Sequence, residues 1–116
     1  MLEVFQNIRK FRRLNSRITI QYKYKEKYYS MVPKGAITRN VGENGLRIIS
    51  NEFIPPATNL ILEIFLPSLI GQIRALCKVI WAEKRRYSNQ YDIGMEFIEI
   101  TEEDKRYIAE FIEAFF

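Results

Sequence analysis

Two short segments hold the residues best able to do chemistry. Arg9-Lys10-Phe11-Arg12-Arg13 lies in a basic N-terminal stretch, and Asn40-Val41-Gly42-Glu43-Asn44-Gly45 follows further along the chain. A guanidinium presents a planar fork of donors that can grip phosphate oxygens two at a time. It reads the O6/N7 edge of guanine in the same way, a pairing worth about 1–3 kcal/mol of discrimination, and its plane stacks on base faces. Arg9 and Arg13, with Phe11 between them, can present two such forks from one extended loop. In the second segment glycine and asparagine cluster, and both tolerate the positive φ that tight turns between strands often require. Successive N–H groups in such turns form an anion-binding concavity, and the Asn40 amide can both donate to and accept from a base edge. Together the segments read as two halves of a clamp for a small polyanion. Singly, each also fits a plainer role: a solvated basic arm, and an ordinary hairpin turn.

The rest of the composition narrows the field. There is no histidine, which removes histidine-assisted nucleophiles, histidine bases and histidine metal ligands. The single Cys77 makes neither a thiolate metal site nor an internal disulfide. Neither a G-x-x-x-x-G-K-[ST] loop nor a G-x-G-x-x-G fingerprint occurs, and the carboxylates are scattered. These absences argue against an enzyme, and no cofactor is expected. No apolar run approaches the roughly 20 residues of a membrane span, and Met1 to Gln6 lacks the order of a signal peptide. A soluble, cytoplasmic protein is expected.

The 116 residues are 47% hydrophobic, enough for one domain with a real core. The net charge of +4 is uneven, because residues 1–30 hold eight Lys/Arg against Glu3 and Glu26. A basic arm on a near-neutral body suggests an anionic partner that the arm meets first.

Those segments must be positioned by strands. Alternation of apolar and polar residues marks Arg17–Tyr22, with Ile18, Ile20 and Tyr22 on one side. It continues through Gly35–Arg39, Leu46–Ile49 and Asn59–Leu66, after a break at Pro55-Pro56. Gln72–Trp81 follows, with Ile73, Ala75, Cys77, Val79 and Trp81 expected inward, and then Tyr91–Phe97 with Ile93, Met95 and Phe97. Six short strands with turns between them point to a sandwich or a small closed barrel. A helix closes the chain. Thr101 can cap it with Asp104 as the capping-box partner, Glu102 and Glu103 suit its positive end, and Tyr107, Ile108, Phe111, Ile112 and Phe115 form one apolar stripe.

The two segments and their setting resemble the PilZ domain family, bacterial receptors for cyclic dimeric GMP. That family carries RxxxR at its N-terminal edge and [DN]-x-S-x-x-G in its barrel. Arg9 and Arg13 match the first, and Asn40 and Gly45 match the ends of the second. The resemblance extends to the Pro55-Pro56 break, Val79-Ile80-Trp81, Ile93-Gly94-Met95-Glu96-Phe97 and the Thr101 helix start. It implies an all-β domain with one C-terminal helix, a six-stranded antiparallel barrel. The expected division is a basic arm at 1–16 and a barrel at 17–116, with its helix at about 101–115. It also implies that cyclic di-GMP is gripped by Arg9, Arg13, Asn40, Gly42 and Gly45, with Arg12 and Arg39 as further cations nearby. The charged arm would reorder on binding, and the changed surface would signal to a protein partner. One departure stands out: Gly42 occupies the family's serine position, which removes a hydroxyl contact. That departure motivates an alternative, a degenerate PilZ-like interaction module that does not bind the nucleotide. A third reading, RNA or single-stranded DNA on the basic arm and Tyr22, Tyr24, Tyr28 and Tyr29, rests on composition alone.

Overall fold

In a computed structural model of the chain, residues 13–15, 17–26, 32–67 and 71–114 are described, Arg13 through its backbone only. Seven strands follow in order: β1 (Arg13–Leu14), β2 (Thr19–Tyr24), β3 (Lys34–Gly42), β4 (Gly45–Ser50), β5 (Asn59–Ile64), β6 (Ile73–Lys84) and β7 (Tyr91–Glu99). A helix, α1 (Glu102–Glu113), ends the chain. The ladder runs β3-β2-β5-β6-β7-β4 and returns from β4 to β3, so six antiparallel strands close into a barrel. Closure removes the open edges that would otherwise template aggregation. The two-residue β1 continues along the β3 edge beyond the end of β2.

Period-two alternation fills the barrel. Ile18, Ile20, Tyr22, Leu46, Ile48, Leu60, Leu62, Ile64, Ile73, Cys77, Val79 and Ile93 are all at most 3% exposed. Burial pushes the Cys77 thiol up to about 12, so it behaves as a small core hydrophobe. Thr101 caps α1, its side chain accepting from the Asp104 N–H at 3.1 Å. The stripe of Ile108, Phe111 and Ile112 is buried with the core, whereas Phe115 lies outside the described residues. No helix among the described residues is long and apolar enough to cross a membrane.

Three details differ from the sequence expectation. The first concerns the 40–45 turn: β3 runs on through Asn40, Val41 and Gly42, which leaves only Glu43 and Asn44 between β3 and β4. Neither Gly42 nor Gly45 has positive φ. Gly45 is required instead by close approach, because a Cβ there would lie 2.1 Å from the Met95 carbonyl oxygen and 2.8 Å from Glu96 Cα. The second detail is Trp81, which faces outward at 39% exposure. A bulge between Val79 and Trp81 inserts Ile80 as an extra residue and reverses the alternation. The third is an extension of β2 to Tyr24, where a polar cluster forms. Tyr24 and Lys34 both donate to the Glu52 carboxylate, and Tyr22 and Ser50 hydroxyls lie 3.3 Å apart. Burial pushes Glu52 upward, but the hydrogen bonds from Lys34 and Tyr24 outweigh it and hold the carboxyl below its ordinary value.

Candidate functional site

Two bulges re-aim side chains onto one outer face of the barrel. In the β3–β4 ladder the register runs Thr38↔Ile48 and then Asn40↔Arg47, so Arg39 is the extra residue. Thr38 and Val41 stay buried at 0%, while the consecutive Arg39 and Asn40 both lie outside the core. The bulge at Ile80 does the same for Trp81 on β6. Bulges beside binding sites commonly serve to redirect a side chain in this way.

The register links these positions into one row across four strands. Asn40 lies opposite Arg47, Arg47 opposite Gly94, and Gly94 opposite Trp81. Gly94 contributes no side chain, so the Trp81 indole lies over it; a Cβ there would be 2.2 Å from Nε1. The Arg47 guanidinium sits 5.6 Å from the Trp81 ring centroid, within the range of cation–π attraction. The result is a continuous platform of amide, guanidinium and indole.

Beside it lies a pocket of about 450 Å³ lined by Asn15, Arg17, Arg39, Asn40 and Arg47. Three guanidinium groups and two amides with no carboxylate in the lining suit a ligand with phosphates and hydrogen-bonding edges. Arg47 is held in place by Asp92 at 3.1 Å, and Asp92 also takes Arg85 at 3.2 Å. Its Nε is buried and has no hydrogen-bond partner among the described residues. A buried donor without an acceptor is costly, and an acceptor on a bound ligand would satisfy it. A larger groove of about 940 Å³ lies elsewhere and shares only Glu43 and Asn44 with the second motif. The smaller pocket is the one that gathers Arg39 and Asn40 with two further guanidinium groups.

The backbone brings Arg13, the last residue of the first segment, beside the second segment. Arg13 pairs with Gly42, and Leu14 with Val41, as antiparallel partners. The chain then leaves the edge at Asn15 and returns at Ile18, whose N–H donates to Thr38 Oγ1 at 2.9 Å and whose carbonyl accepts from the Thr38 N–H. Asn15 and Arg17 both line the pocket. Asn40 and Arg39 line it as well, whereas Gly42, which ends β3, and Gly45, which opens β4, are not in the lining. Arg9 and Arg12 lie outside the described residues. Asn15, Arg17 and Arg47 in the pocket lining, and Trp81 and Gly94 in the adjoining row, belong to the candidate site but were not assigned by sequence reasoning. Their signal was faint, since a bulge cannot be read from alternation alone.

The sequence matches the family model of the PilZ domain over residues 7–114. This chain belongs to the PilZ domain family. No curated protein matches it. Among solved structures, the Bacillus subtilis inhibitor of motility MotI/DgrA superposes with a TM-score of 0.77 at 17% identity, over 91% of this chain and 50% of its own. The PilZ domain of Escherichia coli YcgR with c-di-GMP gives 0.70 at 11% identity, over 91% of this chain and 89% of its own. Borreliella burgdorferi PlzA in complex with c-di-GMP gives 0.61 at 16% identity, over 96% and 43%. At such identities the likeness is one of fold, and this PilZ chain spans about half the length of MotI/DgrA.

Proposed function

We propose that this PilZ domain is a bacterial, cytoplasmic receptor for cyclic dimeric GMP that binds the nucleotide without turning it over. The observation that supports the reading is the backbone pairing of Arg13, the last residue of the RxxxR segment, with Gly42 of the second segment. Cyclic di-GMP presents two phosphodiesters and two guanines, and the pocket beside that pairing offers guanidinium forks and amides for both. Arg9 and Arg13 anchor it, Asn40 contacts a guanine edge, and Gly42 offers its N–H where the family has serine. Arg12 and Arg39 add cationic charge, as do Arg17 and Arg47. Trp81 supplies a face for base stacking. YcgR and PlzA, which share the fold, were both solved with c-di-GMP.

Binding neutralises the arginine cluster and reorders the arm, residues 1–16, over the barrel of residues 17–116. A downstream protein reads the rearranged surface, to the extent that the nucleotide favours the closed arrangement over the open one. The test is calorimetric titration of cyclic di-GMP, with GTP and the linear dinucleotide as controls. Selective binding at micromolar concentration or tighter is expected. Absence of heat at high ligand concentration would favour the second reading, motivated by Gly42, of a PilZ module that works through a protein partner alone.

A further inference from the structure

On the other side of the barrel, four strands place four side chains in one outward row. Lys23 on β2 lies opposite Ile61 on β5, Ile61 opposite Leu76 on β6, and Leu76 opposite Glu99 on β7. Directly opposed residues share a face of the sheet, so the row reads cation, apolar, apolar, anion. It forms the floor of the larger groove, about 940 Å³, which Lys25 borders beyond the β2 end and Glu102 and Asp104 border on the first turn of α1. Ile98, the extra residue of a further bulge on β7, lies beside it at 48% exposure.

Such a row is complementary to itself when reversed. We propose that this face is the interface of a homodimer, formed about a twofold axis passing between Ile61 and Leu76. Under that operation Lys23 of one copy meets Glu99 of the second, Ile61 meets Leu76, and both contacts occur twice, as an isologous interface requires. The four apolar side chains supply the buried centre. The charge pairs fix orientation and exclude the parallel arrangement, which would set Lys23 on Lys23 and Glu99 on Glu99. The same twofold operation sets the acidic first turn of α1 in each copy toward the Lys23–Lys25 side of the other. The choice of a second copy over an unrelated partner rests on this reversal symmetry of charge. It does not depend on the nucleotide site.

The test is sedimentation equilibrium of the 116-residue chain from micromolar to millimolar concentration. The expected result is a concentration-dependent species at twice the 13.9 kDa monomer mass. Lys23→Glu and Glu99→Lys should each remain monomeric, with thermal melts like those of the parent. Their equimolar mixture should dimerise again, because reversing both charges restores both opposite pairs across the axis. A parent that stays monomeric throughout, a dimer that survives either single substitution, or a mixture that fails to recover would each overturn the proposal. The first of these would leave the face to a different occupant.

Discussion

The Trp81 indole occupies the space above Gly94 that any larger residue would fill, with Nε1, Cε2 and Cζ2 at 2.2, 2.3 and 2.8 Å from an ideal Cβ at 94. The obstruction is a side chain, so it can move. Gly94→Ala should leave the barrel folded and push the indole off Arg47 into solvent. Because Trp81 is the sole tryptophan, its fluorescence maximum should shift red. A stacking contact is worth about 1–3 kcal/mol per base, so cyclic di-GMP affinity should fall at least about fivefold. Unchanged affinity with a displaced indole would remove Trp81 from the site.

Gly45 presents the opposite case, since what crowds it is backbone from β7. Gly45→Ala must open the β4–β7 ladder, where Gly45 faces Glu96. Overpacking of this kind costs about 1–3 kcal/mol, which corresponds to a drop in Tm of roughly 5–15 °C. A melt within a degree of the parent would mean the strands part at no cost.

Arg9→Ala and Arg13→Ala should each weaken cyclic di-GMP at least about tenfold, or about 1.4 kcal/mol, with the melting curve unchanged. Calorimetry on both variants decides it. Parental affinity in both would take the arginine arm out of the clamp.

Gly42→Ser restores the hydroxyl of the family motif. One net hydrogen bond is worth about 0.5–1.5 kcal/mol, so binding should tighten between about twofold and tenfold. Weaker binding in this variant would show that the position now relies on the absence of a side chain.

Glu52 gives a pH-dependent stability. Burial pushes its carboxyl up, but hydrogen bonds from Lys34 and Tyr24 hold it below the ordinary value. The folded chain therefore takes up this proton less readily than the unfolded chain. The stabilisation is complete above the ordinary glutamate value of about 4.3 and drains away as pH falls through the lower folded value. Glu52→Gln should melt below the parent at neutral pH, and the gap should close as pH falls below about 4. A gap that holds constant into acid would assign the effect to packing instead of charge.

Much of this protein is legible in its sequence alone. Alternation located the core positions Ile18, Ile20, Leu60, Leu62, Ile73 and Val79, because a strand with one buried face must place every second residue inward. Thr101 announced the helix start, and the paired motifs announced the family. Three features depended on the tertiary structure. The bulges at Arg39 and Ile80 add one residue to one strand of a pair, so they exist only relative to a partner strand; they turned Trp81 outward and set Arg39 beside Asn40. Gly45 and Gly94 are needed for what lies across the ladder from them, the Met95–Glu96 backbone and the Trp81 indole, and no local turn rule could have found that. The row of Asn40, Arg47, Gly94 and Trp81 joins residues far apart in the chain through register alone. Local chemistry set which residues could bind; pairing between strands decided which of them meet.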